Sequence, residues 1–198
     1  MRKAMFGLLA VLLLAGITTA QDKTAAPKSQ TKKAEMSNAQ YTALALSAAP
    51  HSVAKDAGVA RPKEDGSMDT MREGKNGFTC MVIMGDAMCA DAASMAFFEA
   101  MTKDQTPPDK LGIAYMLRGD NGASNTDPHA MKKTADNHWL VTGPHIMIVG
   151  AAAKSLDVQT SADPDPTKPY LMWGDTPYAH VMIPVGGSAP APKAMAKK

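Results

Sequence analysis

Two apolar, β-branched runs near the C-terminal end constrain this chain most: TGPHIMIVG (residues 142–150) and YAHVMIPV (residues 178–185). Each carries a histidine at its start and is flanked by glycine or proline, the pattern of a buried or half-buried strand. Alternate side chains of a strand share a face. His145, Met147 and Val149 therefore point one way, and so do Tyr178, His180 and Met182. If the two strands are neighbours, two His-x-Met pairs lie side by side on one surface.

The rest of the chain supplies partners for such strands. A helix capped by Ser37 or Asn38 carries Tyr41, Leu44 and Leu46 on one stripe and stops before Pro50, with a further helical turn over 51–58. Residues 58–61, 68–72 and 78–84 read as a meander, joined through the turn signals EDG (64–66) and KNG (75–77). Its middle piece is polar and suits an exposed edge. Asp91 caps a second helix over 92–102, whose apolar stripe includes Ala93, Phe97 and Met101. An apolar strand over 111–118 belongs at the sheet centre, and a short one over 138–141 leads into the first His-x-Met run. Residues 170–173 and 178–185 form a closing hairpin in which Pro184 marks an edge or bulge. The expected fold is α+β: a single domain over 37–185, with an antiparallel or mixed sheet and helices packed on one face. Hairpin signals recur here, while strand–helix alternation at βαβ spacing does not.

Residues 1–20 read as a signal peptide, with Arg2 and Lys3, an apolar run from Phe6 to Ile17, and a small residue, Ala20, at the cleavage point. The expected location is periplasmic or secreted. No later stretch is long and apolar enough to span a bilayer. The chain holds 21 Lys+Arg and 19 Asp+Glu; losing the two basic residues of the signal leaves 19 of each. That balance argues against a nucleic-acid partner, which calls for a basic excess. Residues 21–36 read as a flexible leader and 186–198 as an Ala/Pro/Lys tail. The tail is either simply solvated or a weak tether to anionic cell-envelope components.

Cys80 and Cys89 are the only cysteines. In an exported chain an even pair is most simply one disulfide, here closing a small ring between a strand end and the start of the next helix. Such a ring contributes about 2–3 kcal/mol. Redox and zinc pairs use closer spacing. The loop GDNGASNTDP (119–128) offers Asp120, Asn121, Ser124, Asn125 and Asp127 as calcium-type oxygens. Its spacing is not that of an EF-hand, and turn chemistry accounts for the same residues.

The segments NGFTC (76–80), DAMC (86–89), SNTDP (124–128), TGPHIMI (142–148) and WGDTPYAH (173–180) together resemble a family of uncharacterised exported bacterial proteins. The resemblance covers most of residues 43–185 and implies export and a shared domain. It implies no activity. Members of that family carry a longer, proline-rich insertion between the two cysteines than this chain does.

No nucleophile elbow, HExxH, phosphate loop or dinucleotide fingerprint occurs in the sequence. Two function classes remain in front. One is a non-catalytic module that binds a ligand or partner, with Trp173, Asp175 and Tyr178 at a pocket. The other is a copper protein using His145, Met147, His180 and Met182, because thioether and imidazole ligands suit copper(I). A hydrolase with His145 or His180 as base is a weaker third; Asp175 could orient the His180 ring, but reads more simply as a hairpin-turn residue. The 16 methionines serve the second reading, yet methionine also fills cores in a chain with only four phenylalanines.

Overall fold

A computed structural model describes residues 36–186. The expected signal peptide, the leader except Met36 and the tail except Gly186 lie outside the described residues.

Ser37 caps α1 (Asn38–Leu46). Its hydroxyl accepts from the Gln40 amide at 3.3 Å while Gln40 Oε1 accepts from the Ser37 amide at 3.0 Å, so two orphan donors of the helix start are satisfied reciprocally. After Pro50 comes the short α2 (His51–Ala54), followed by β1 (Gly58–Pro62) and β2 (Met68–Arg72). A tight hairpin joins β3 (Phe78–Ile83) to β4 (Asp86–Asp91), and α3 (Ala92–Thr102) leaves directly from β4. Then follow β5 (Gly112–Met116), the short β6 (Ala123–Ser124) and β7 (Trp139–Leu140), β8 (His145–Val149), β9 (Tyr170–Met172) and β10 (His180–Pro184). No helix among the described residues is long and apolar enough to cross a membrane.

Eight strands form one mixed sheet in the order β2-β1-β3-β4-β5-β8-β10-β9, and β6 and β7 form a separate two-stranded ribbon. The expected mixed sheet is present. The meander is not: β3 pairs with β1 in parallel, on the side away from β2. The reason lies in polarity. β2 (MDTMR) is exposed along most of its length, so it holds the edge, and the apolar β3 passes it to pair with the buried β1. Cys80 and Cys89 are bonded. They sit opposite each other across β3–β4, so Cys89 lies within a strand rather than at a helix start.

Helices gathered on one face are not what the sheet carries. Cys80, Ala87 and Cys89 pack with Tyr41 and Ala45 of α1, whereas Met81, Met88 and Ala90 pack with Phe97 of α3. Strand alternation separates these two sets, so α1 and α3 cover opposite faces. The period-2 pattern of β3 and β4 is apolar at both parities, and each face therefore needs its own cover. Tyr41 fastens the first face, its hydroxyl donating to the Ala60 carbonyl at 2.9 Å and accepting from the Val82 amide at 3.0 Å. Asp91 fastens the second: Oδ1 accepts from the Ser94 amide at 2.8 Å and Oδ2 from Ile113 at 2.9 Å, joining the start of α3 to β5. Gly112 permits that approach, since a Cβ there would fall 2.5 Å from the Ser94 nitrogen.

Candidate functional site

The two His-x-Met strands are neighbours. β8 and β10 pair antiparallel with Met182 opposite Met147 and Pro184 opposite His145. The flanking strands continue the pattern: Met116 of β5 faces His145, and Met172 and Tyr170 of β9 face His180 and Met182. Facing residues of adjacent strands share a side of the sheet, as do residues two apart. Met116, His145, Met147, Met182, His180 and Met172 thus form one patch on the α3 face. Within it the two histidines lie four strand positions apart, at opposite ends of the central Met147–Met182 pair. β9 reaches only His180–Met182, so Pro184 sits where β10 lacks its outer neighbour, as its missing N–H requires.

Both imidazoles are buried, His145 at 0% and His180 at 1% exposure, and both are fixed in the same manner. His145 Nδ1 lies 2.7 Å from the Gly143 carbonyl, and His180 Nδ1 lies 3.0 Å from the Tyr178 carbonyl. A carbonyl only accepts, so each Nδ1 carries the proton and each neutral ring keeps a bare lone pair on Nε2. Burial lowers both pKa values to about 4, against the opposing pull of those carbonyls; for His180 the charge on His145 lowers it further. Nε2 of His145 has no hydrogen-bond partner among the described residues. The His180 ring stands edge-on between Trp173, at 4.8 Å between centroids, and Phe97, at 5.9 Å.

A cavity of about 460 Å³ lies over this patch. Its floor is the sheet, and one side is α3, through Phe98 and Met101. The segment carrying β6 and β7 closes another side, held by the Trp173 indole N–H donating to the Ser124 carbonyl at 2.7 Å. Eight of the 16 methionines line the cavity, with both histidines and both tryptophans, Trp139 and Trp173. Asp86 and Asp120 are the charged residues on its walls. Burial pushes the Asp120 carboxyl up to about 7; the Thr142 and Gly122 amides oppose this, and the negative charge of Asp86 adds to it. Burial also raises Asp86, against the Asn121 amide.

The other sequence-derived expectations fare differently. Trp173 lines the cavity, while Tyr178 is buried outside it, edge-on to Phe97 at 6.5 Å. Asp175 is exposed, as a hairpin-turn residue would be, and the His180 Nδ1 proton goes to the Tyr178 carbonyl instead of to the Asp175 carboxylate. The pocket is therefore built on Trp173 without its two expected companions. In the oxygen-rich loop Asp120 and Asp127 turn carboxylate oxygens to nearby backbone amides. Asp120 Oδ1 accepts from the Gly122 and Thr142 amides at 3.0 and 2.9 Å, and Asp127 Oδ1 accepts from the His129 amide at 2.9 Å. Among the described residues no three of His, Cys, Asp and Glu gather as metal ligands.

Sequence reasoning missed Met88, Met101, Met116, Met172, Asp86 and Asp120 as members of the site. The signal was present only as a high methionine count, which assigns no position. No protein-family model, no curated protein and no solved structure matches the chain, so its own geometry carries the functional argument.

Proposed function

We propose that this chain is an exported, non-catalytic binding module that takes its ligand in the methionine-lined cavity. The observation that carries the reading is the convergence of eight methionines, two histidines and both tryptophans on one space of about 460 Å³, a volume typical of small-ligand sites. Export is supported by the three-part N-terminus and by the resemblance to exported bacterial proteins. The Cys80–Cys89 bond suits an oxidising compartment. Binding is favoured over hydrolysis because an efficient general base titrates near the working pH, and both imidazoles here are held at about 4. The unpartnered Nε2 of His145 offers a ligand in this cavity one free nitrogen donor.

The test uses protein recovered from the periplasm, expected to begin at Gln21, and the dye 1-anilinonaphthalene-8-sulfonate as an apolar probe. Saturable uptake that shifts the tryptophan emission is expected, and Ala130→Trp, which fills one cavity wall, should abolish it with the melting temperature retained. Uptake unchanged in that variant would remove the cavity from the reading. Hydrolysis of a p-nitrophenyl ester that disappears in His145→Ala would overturn the non-catalytic assignment.

A further inference from the structure

We infer that the ligand of this cavity is a soft monovalent metal ion, copper(I) or its silver(I) analogue, bound by His145 Nε2 and the thioethers of Met147, Met182 and Met116. This inference rests on the cavity being a binding site and names what it binds.

Three independent observations lead there. The first is an orphan lone pair. His145 is fully buried, its ring is fixed by the Gly143 carbonyl, and Nε2 meets no partner among the described residues. Buried polar atoms nearly always find one, and a ring fixed through Nδ1 is how protein ligands present Nε2 to a metal. The second is register. Met116 lies directly across from His145, Met147 lies two residues along β8, and Met182 faces Met147. Positions across a sheet are separated by about 5 Å and positions two apart along a strand by about 7 Å. Those spacings are within the span of flexible methionine side chains. The third is charge. Asp86 and Asp120 are the only carboxyl groups on the cavity wall and no Lys or Arg lines it, so no positive side chain opposes a cation there.

The donor set then selects among cations. Calcium and magnesium require several oxygen ligands, and zinc prefers thiolate and imidazole in a closed tetrahedron. One imidazole with neutral thioethers suits a soft d10 ion of single charge. His180 stands four positions away between Trp173 and Phe97, and is not needed for the first ion.

Silver(I) is the probe, since it needs no reductant, with copper(I) competed against bicinchoninate as the second measurement. Calorimetry on the full chain should show one tight site, with quenching of tryptophan emission. The volume-conserving pair Met147→Leu/Met182→Leu should keep the melting temperature and weaken binding by about a hundredfold, since even partners that only orient ligands cost tenfold or more. Met68→Leu/Met71→Leu, on β2, should bind like wild type. Silver(I) bound equally well by the Met147/Met182 variant, or not at all by wild type, overturns the inference. If the dye enters the cavity and silver(I) does not, the binding reading stands and the metal assignment falls.

Discussion

At the residue scale, three buried titrating groups face one cavity and pull stability in opposite directions with pH. The folded imidazoles of His145 and His180 titrate at about 4 instead of 6.5. Above pH 6.5 they are neutral in both states. As pH falls from 6.5 toward 4 the unfolded chain takes up their protons and the folded chain does not, so stability is lost. The loss is about 3 kcal/mol per ring and is complete below the folded value. Asp120 has the opposite sign. Its folded value of about 7 lies above the ordinary 3.8, so falling pH between those limits returns about 4 kcal/mol. Wild type should therefore lose only a few kcal/mol between pH 7 and pH 4.5. Asp120→Asn keeps an acceptor for the Thr142 and Gly122 amides and removes the compensation. Urea unfolding should find it more stable than wild type at pH 7 and falling more steeply toward pH 4.5. A variant curve parallel to wild type would mean that Asp120 does not hold its proton in the fold.

At the element scale, the β3–β4 hairpin shows what a sequence can hide. Its two turn residues, Met84 and Gly85, both have positive φ, at 52° and 96°, the pattern of the tight hairpin turn that asparagine and glycine favour. Methionine at the first position erased the signal, so Cys89 was expected at the start of a helix and not within a strand such as β4 (DAMCAD). Met84 is 68% exposed and pays for that conformation without burying its side chain. Met84→Asn should raise stability by about 0.5–1 kcal/mol, read as a higher urea midpoint at unchanged slope; a lower midpoint would show that the Met84 side chain contributes at the cavity rim. The EDG and KNG turns, the Asp91 cap and the last hairpin were legible because their residues have local reasons to be there. The His-x-Met face was legible through period-2 spacing alone. The arrival of Met116, Met172 and Met88 on that face was not, because it depends on β5, β9 and β4 pairing in a given register, and single methionines carry no register signal.

At the scale of the molecule, one sheet separates two cores that a sequence reading merged into one. The α1 face holds Tyr41, Ala45, Val59 and the disulfide; the α3 face holds Phe97, the methionine patch and the cavity. Coupling between the faces has only the sheet backbone to travel through, and packed groups that share no partner act additively. Tyr41→Phe strands the Val82 amide and the Ala60 carbonyl, a loss of about 1–3 kcal/mol. Phe97→Ala empties the centre of the other core, a loss of about 3–5 kcal/mol. Phe97 touches the His180 ring, so this second substitution should also weaken binding in the cavity, whereas Tyr41→Phe should leave binding unchanged. The double variant should unfold with the two losses summed to within about 0.5 kcal/mol. A larger coupling energy in urea unfolding, or a cavity that loses its ligand when Tyr41 is changed, would show that the faces communicate through the strands, and that the α1 side helps to shape the site.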